Sequence, residues 1–184
     1  MPGLVRIPFA EALVPKVQAF DCGPEIGQTE VSSWIKQPRG TDGALNDIAN
    51  GGLQVWVYAT PEGEIVGFGS LGIGWQKWPR PKDPEIPASV IPYMAVGRKF
   101  WGQPPSPWEE RYAAQILGSL IAEALVFKDS RTVLKLLVFE GNAAAIKLYE
   151  RVGFVEFHKP RKDANGLLYK RLALDLTAGT TTSG

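Results

Sequence analysis

The stretch from Val138 to Phe157 constrains the fold more than any other part of this chain, because it encodes a strand, a helix and a second strand in succession. The apolar run 133–139 predicts the first strand, and Glu140 leads into a helix that begins near Asn142. Gly153 follows the last helical turn, where the left-handed backbone conformation favours glycine. The segment 154–157 then begins the second strand.

One face of this helix carries two polar groups among apolar residues. With 3.6 residues per turn, Asn142 and Tyr149 fall two turns apart on the same side as Ala145 and Ile146. Taken singly, Tyr149 is interpreted as an amphipathic core residue and Asn142 as a helix cap. Taken together with their neighbours, these residues have another interpretation.

The string N-x-x-A-x-x-L-Y-E-x-x-G-F, which runs from Asn142 to Phe154, resembles the last sequence motif of the GNAT acetyltransferase superfamily at each defined position. The order of predicted elements, β-α-β-β-β-α-β-α-β-β, also resembles the GNAT fold. The resemblance implies an α/β (α+β) fold with a mixed, mostly antiparallel central sheet of about six to seven strands flanked by helices. In that fold the central strands are splayed to admit acetyl-coenzyme A.

The length of 184 residues suits one domain with a sizeable core, so we expect a single acetyltransferase domain over 1–176 and a mobile tail over 177–184. A net charge of +1 gives no bulk electrostatic reason to expect nucleic acid or membrane binding. We interpret the local basic residues of 159–171 as a solvated hairpin rim. Cys22 is the single cysteine and His158 the single histidine, so we predict neither an internal disulfide nor a metal site. We expect a cytoplasmic protein, since no apolar run is long enough to span a membrane.

The remaining segments follow from periodicity and from turn residues. Predicted strands cover 16–20, 53–59, 64–73, 89–96 (with a bulge at Pro92), 154–158 and 167–176. Predicted helices cover 25–37, one turn at 44–49, and a long segment from the capping box of Ser106, Pro107 and Glu109 to about Phe127. The proline-rich segment 74–88 is predicted to be a long connection.

The resemblance assigns the cofactor-binding residues. Met94, Ala95 and Val96 match the strand that pairs with the pantetheine arm, and Asn142, with Ala145 and Tyr149 on its helix face, matches the position that binds this arm. In relatives a glycine-rich loop, Q/R-x-x-G-x-G/A, opens a helix whose N-terminal amides hold the pyrophosphate. Candidate residues for this loop are Gly102, Gln103 and Arg111.

This chain departs from the family pattern at that loop. Lys99 stands in place of the Gln or Arg, Pro104 in place of the later small residue, and Glu109 and Glu110 would repel an anion. Two explanations remain. Segment 104–110 is an insertion and the phosphate-facing turn lies near 111–114, or the phosphate site is degraded. We favour the insertion because the downstream motif is intact.

Tyr149 matches the residue that protonates the departing coenzyme A thiolate in many relatives, and a phenol can donate to a thiolate. The general base is not evident, and Tyr93, Glu140 and Glu30 are substitutes for it. The residues expected to line the acceptor site are Trp34, Trp75, Trp78, Tyr93 and Glu140.

The leading hypothesis is an acetyl-coenzyme A-dependent N-acetyltransferase that acts on a primary amine, either a small molecule or a peptide, by direct attack. One alternative is a toxin-type GNAT that acetylates aminoacyl-tRNA, against which the net charge of +1 argues. Another alternative is a non-catalytic acyl-coenzyme A-binding module. A homodimer is one assembly that we expect.

Overall fold

The computed structural model describes residues 3–103 and 111–178. The predicted capping box at Ser106, Pro107 and Glu109 and most of the predicted tail lie outside the described residues. The chain divides into two compact units. Unit 1 comprises Met1–Leu71 and Tyr93–Leu120, and unit 2 comprises Gly72–Pro92 and Ile121–Gly184.

Unit 1 contains short helices and one side of the strand ladder. Its helices are α1 (Val14–Val17), α2 (Ile26–Lys36), α3 (Ala44–Ala49) and most of α4 (Tyr112–Leu125), with 3-10 turns at Glu11–Leu13 and Arg98–Phe100. Its strands are β1 (Val5–Pro8), β2 (Leu53–Ala59), the first half of β3 (Ile65–Lys77) and β5 (Met94–Val96), in the order β1-β2-β3-β5. The helices predicted over 25–37 and 44–49 are confirmed.

The strand predicted over 16–20 is wrong. The chain forms α1 there, and the Phe20 N–H donates to the Val17 carbonyl at 2.9 Å. Val17 and Phe20 are both buried in the core of unit 1, and a separation of three residues places them on one side of a helical turn. Burial of two residues at helical spacing therefore favours the helix here over the strand that the short apolar run predicted.

The glycines of β3 allow close packing within unit 1. A Cβ atom on Gly67 would lie 2.3 Å from the Ala95 carbonyl oxygen and 2.8 Å from Ile116 Cδ1. A Cβ atom on Gly69 would lie 2.8 Å from Leu120 Cδ1. Glycine therefore lets both β5 and α4 approach this strand closely.

Unit 2 is built on a five-stranded ladder in the order β3-β4-β6-β8-β7, in which the β4–β6 pair is parallel and the others are antiparallel. These strands are the second half of β3, β4 (Glu85–Ile91), β6 (Val133–Phe139), β7 (Val155–Lys162) and β8 (Leu168–Asp175), with α5 (Ala143–Val152) between β6 and β7. The structure thus has eight strands among the described residues, more than the expected six to seven. The predicted strand 89–96 divides at Pro92, and β1 was not counted.

The long connection predicted over 74–88 is also wrong, because most of it is strand. Residues 72–77 of β3 pair with residues 85–90 of β4, so the connection is confined to 78–84. Pro87 lies opposite Trp75 and has no N–H to donate, and the Trp75 carbonyl accepts a hydrogen bond from Lys135 Nζ at 2.6 Å. Cross-strand pairing and this lysine accommodate prolines that the sequence alone suggested were loop residues.

The ladder of unit 2 has two different faces. Alternate residues of β6, namely Leu134, Leu136 and Val138, are buried on the face that α5 covers, where Gly153 lies near Leu174. The other face, which we call the open face, carries Leu137 at 53% exposure. Residues 78 and 157 cover one end of the open face, against a small core of Ala88, Val133 and Ala173.

No helix among the described residues is both long and apolar enough to cross a membrane.

Candidate active site

The strand β5 exposes one backbone edge on which no described strand lies. Beyond its end, the Gly97 N–H donates to the Val66 carbonyl of β3 at 2.8 Å. Hydrogen-bonded pairs alternate along an antiparallel ladder, so Ala95 also bonds toward β3. The N–H and C=O groups of Met94 and Val96 therefore point away from β3, and an extended ligand could pair with them.

The segment after β5 contains the predicted phosphate-binding residues. Gly102 has φ +74°, and no atom lies within 4 Å of the position that a Cβ would take. The Gln103 N–H donates to the Phe100 carbonyl at 3.1 Å and its side-chain amide to the Lys99 carbonyl at 3.1 Å. The Trp101 indole N–H donates to the outward-pointing Val96 carbonyl at 3.0 Å. The loop is thus held by its own hydrogen bonds.

The residues on either side of 104–110 are joined by a hydrogen bond. The Tyr112 N–H donates to the Gln103 carbonyl at 3.1 Å, so Gln103 and Tyr112 lie side by side. Arg111 is not helical, and α4 begins at Tyr112, whereas the helix start predicted at Pro107 lies outside the described residues. The N-terminus of α4 therefore follows the Gly102 loop directly in space.

Positive charge near this loop comes from two arginines. Lys99 pairs with Glu64, which neutralises it. Arg98 and Arg111 are exposed, and neither has a carboxylate within 4 Å among the described residues. Two guanidinium groups with no carboxylate of the described residues within 4 Å, together with a helix N-terminus, are a suitable environment for a phosphate.

The helix α5 shows the expected start and end. The side-chain oxygen of Asn142 accepts from the Ala145 N–H at 3.1 Å, so Asn142 is the helix cap. Its amide NH₂ remains available to a ligand, since an amide carries two further donors. Gly153, with φ +104°, ends the helix as predicted.

Tyr149 is the most strongly perturbed phenol among the described residues. It is 7% exposed and packs against Phe154, with ring centroids 5.7 Å apart. Burial raises the pKa of Tyr149 to about 12, because the charged phenolate would lose its hydration. The hydroxyl makes no hydrogen bond to another described residue. Tyr149 is therefore a neutral donor at physiological pH.

In unit 1 the structure brings together two residues predicted to line the acceptor site. The rings of Trp34 and Tyr93 stack with centroids 4.2 Å apart, and the Trp34 indole N–H donates to Asp47 Oδ2 at 2.8 Å. Burial, followed by the negative charges of Asp47 and Glu30, raises the pKa of the Tyr93 phenol. Sequence reasoning missed Asp47, and its position in the predicted helical turn 44–49 gave no signal of a role.

The other predicted acceptor-lining residues are in unit 2 and are not clustered. Trp75 is 61% exposed on β3, whereas Trp78 is half-buried and its ring lies 6.3 Å from that of Phe157. Trp78 thus covers the edge of a small core. Glu140 is exposed at the end of β6, and its N–H donates to the Leu168 carbonyl at 2.9 Å.

The predicted site residues are divided between the two units. Unit 1 carries the β5 edge, the Gly102 loop, Arg111 and the Trp34–Tyr93 pair, and unit 2 carries Tyr149, the other α5 residues and the remaining candidates.

A family model identifies the class of protein. The model described as acetyltransferase (GNAT) family matches residues 25–154, more than half of the chain. No curated protein matches this sequence significantly.

Solved structures of similar fold include proteins that are described as toxins. The first, described as a bacterial toxin, has a TM-score of 0.70 at 17% identity and covers 100% of this chain and 99% of its own. A mutant of the AtaT toxin bound to the C-terminus of the antitoxin AtaR and acetyl-CoA has a TM-score of 0.66 at 14% identity, with coverage of 97% and 99%. AtaT complexed with acetyl-methionyl-tRNA has a TM-score of 0.66 at 17% identity and covers 96% of both chains. At identities this low, the similarity shows a shared fold and nothing about substrates or partners.

Proposed function

Because this chain belongs to the acetyltransferase (GNAT) family, we propose that it transfers the acetyl group of acetyl-coenzyme A to a primary amine by direct attack. Family membership makes acetyl-coenzyme A the co-substrate. The observation that carries the finer proposal is Tyr149, a buried neutral phenol at the motif position that donates a proton to the leaving thiolate.

The cofactor-binding residues of unit 1 have complementary roles in this proposal. The outward N–H and C=O groups of Met94 and Val96 pair with the pantetheine arm, and an N–H on this edge supports the thioester oxygen. The Gly102 loop, the α4 N-terminus, Arg98 and Arg111 hold the pyrophosphate. Trp101 must release the Val96 carbonyl if the arm uses that acceptor, because the indole N–H occupies it.

The proton balance involves two sites. The amine must lose a proton to become nucleophilic, and this proton passes to water. The negative charges of Asp47 and Glu30, which act on Tyr93, attract the ammonium form of the amine before that step. As the C–N bond forms and the C–S bond breaks, the Tyr149 hydroxyl protonates the departing thiolate, and the resulting tyrosinate regains a proton from water. A pKa of about 12 keeps this donor protonated at neutral pH.

Calorimetric titration with acetyl-coenzyme A, followed by an assay of thiol release with a panel of amines, tests the proposal. We expect micromolar binding and amine-dependent release of coenzyme A. Absence of binding at millimolar cofactor would refute the proposed cofactor site. Binding without turnover of any amine would instead support the non-catalytic alternative.

A second candidate function is acetylation of an aminoacyl-tRNA. The net charge of +1 conceals an asymmetry: unit 2 has 13 Lys and Arg against 9 Asp and Glu, a formal +4, and unit 1 has 7 against 10, a formal −3. This asymmetry removes the argument against RNA that the total charge provided. The similarly folded AtaT has been seen with acetyl-methionyl-tRNA. Faster acetylation of an aminoacyl-tRNA than of the corresponding amino acid amide would favour this acceptor, and equal rates would exclude it.

A further inference from the structure

The open face of unit 2 combines cations with aromatic rings. In the β6–β8–β7 register, Leu137 lies beside Arg171 and Arg171 beside His158. The next row toward the hairpin end consists of Phe139, Tyr169 and Arg161, which are paired after a register shift in β7 between His158 and Arg161. Residues paired across strands point to the same side of a sheet, so both rows share the open face.

The arginines of this face carry unneutralised charge. Neither Arg161 nor Arg171 has a carboxylate within 4 Å among the described residues. The Glu156–Lys170 ion pair lies on the opposite face, since Glu156 pairs with Leu172. Asp175 is at the far end of β8, where it accepts hydrogen bonds from Thr177. The part of the open face around Arg161 and Arg171 is therefore positively charged.

The aromatic rings form a platform at the hairpin end of the face. The Phe139 and Tyr169 rings are tilted, with centroids 6.0 Å apart, and both are only half-buried. A Cβ on Gly141 would lie 2.5 Å from Phe139 Cε1, so this glycine lets the Phe139 ring lie over the backbone. Its position is thereby fixed on one side by Gly141 and on the other by Tyr169.

We infer that the open face of β6, β8 and β7 binds a single-stranded segment of RNA, with bases on Phe139 and Tyr169 and phosphates on Arg161 and Arg171. Half-buried rings on a sheet that are flanked by arginines suit base stacking and backbone contact together. A surface that served only solubility would need the charges and not the aromatic pair. The inference rests on the second candidate function, because it supplies the surface that would hold an acceptor carried on RNA.

The test measures the anisotropy of a fluorescent single-stranded RNA of about 12 nucleotides, at several salt concentrations. We expect the double variant Arg161→Gln/Arg171→Gln to bind about tenfold more weakly at low salt, and the slope of log K against log salt to fall by about 1.4 for two lost phosphate contacts. The matched control is Lys147→Gln/Arg151→Gln, which removes the same charge from the exposed side of α5. It should bind as the unmodified protein does.

Phe139→Leu tests stacking separately from charge. We expect it to weaken RNA binding at least about fivefold while leaving the salt slope unchanged, since stacking releases no counterions. Three results would overturn the inference: no RNA binding at low salt, an equal loss in the Lys147/Arg151 control, or competition by inorganic polyphosphate as strong as by RNA with Phe139→Leu binding normally.

The same preparations separate this inference from the proposed function. If RNA binding depends on Arg161 and Arg171 but the protein never releases coenzyme A, the RNA-binding inference is supported and the proposed acetyltransferase activity is refuted. If the protein does not bind RNA, and releases the thiol with a small amine equally well in Arg161→Gln/Arg171→Gln, the acetyltransferase activity is supported and the RNA-binding inference is refuted.

Discussion

The segment around Gly102 and the helix that carries Tyr149 are both expected to bind one cofactor, yet the family pattern is legible in only one of them. From Asn142 to Phe154 each defined position of the motif is present, whereas from residue 98 onward Gly102 is the main match. In the structure both segments are held by hydrogen bonds. The N-terminus of α4 follows the Gly102 loop because the Gln103 carbonyl accepts from the Tyr112 N–H.

The family pattern is visible in one segment and not in the other because different atoms are proposed to bind the cofactor. The roles proposed for Asn142 and Tyr149 belong to side chains, which the sequence specifies directly. The roles proposed for β5 and the Gly102 loop belong mainly to backbone N–H and C=O groups, and many sequences can present those. Four predictions contrast the two segments.

The largest effect is expected from the side-chain segment. Tyr149→Phe should reduce kcat about 100-fold or more, because the thiolate loses its proton donor, while the Kd for acetyl-coenzyme A changes little. Steady-state kinetics and calorimetry on the same preparation measure the two quantities. A variant with normal kcat would show that Tyr149 is a packing residue beside Phe154.

Tyr149 should also reveal itself in alkaline stability. Its folded-state pKa is raised from 10 to about 12, so the unfolded chain loses this proton first. Its contribution to stability is complete below pH 10 and is lost as pH rises through about 12, at about 1.4 kcal/mol per pH unit between those values. Urea unfolding at several alkaline pH values should show a shallower decline in Tyr149→Phe. Parallel declines would mean that the phenol is hydrated in solution.

In the backbone segment a single substitution at Gly102 should have a smaller effect. Gly102→Val places a β-branched side chain at φ +74° and should weaken acetyl-coenzyme A binding about tenfold. Gly118→Ala is the control, because no atom lies within 4 Å of its Cβ position and its φ is not positive. It should leave affinity unchanged and raise the free energy of unfolding by about 0.5–1 kcal/mol. Equal affinities in the two variants would remove Gly102 from the site.

The smallest effect is expected from the largest change in sequence. If residues 104–110 are an insertion, replacing them with Gly-Gly should keep acetyl-coenzyme A affinity within about threefold, since the bond between Gln103 and Tyr112 already joins the flanking residues. Calorimetry and thermal unfolding of the shortened chain measure this. A loss as large as that of Gly102→Val would mean that the segment itself binds the cofactor.

Local patterns predicted much of the fold. The strand 133–139, the helix that follows it and its end at Gly153 were legible because periodicity and capping are properties of neighbouring residues. The helix 25–37 is confirmed as Ile26–Lys36, with Glu25 and Gln28 forming its capping box.

Long-range contacts decided the rest. The proline-rich segment 74–88 is strand because β3 and β4 pair there and Lys135 satisfies the Trp75 carbonyl. Asp47 bonds to the Trp34 indole across 13 residues of sequence, which no local pattern encodes. The same holds for the asymmetry of charge, which appears only after the chain is divided into its two units.

The sequence by itself determined the family, through side chains at fixed spacing on one helix that fold and chemistry both require. The tertiary structure decided where backbone donors, buried phenols and unneutralised arginines lie, because hydrogen bonding and desolvation depend on residues that are distant along the chain. Tyr149 illustrates both: its place in the motif is local, and its raised pKa arises from burial.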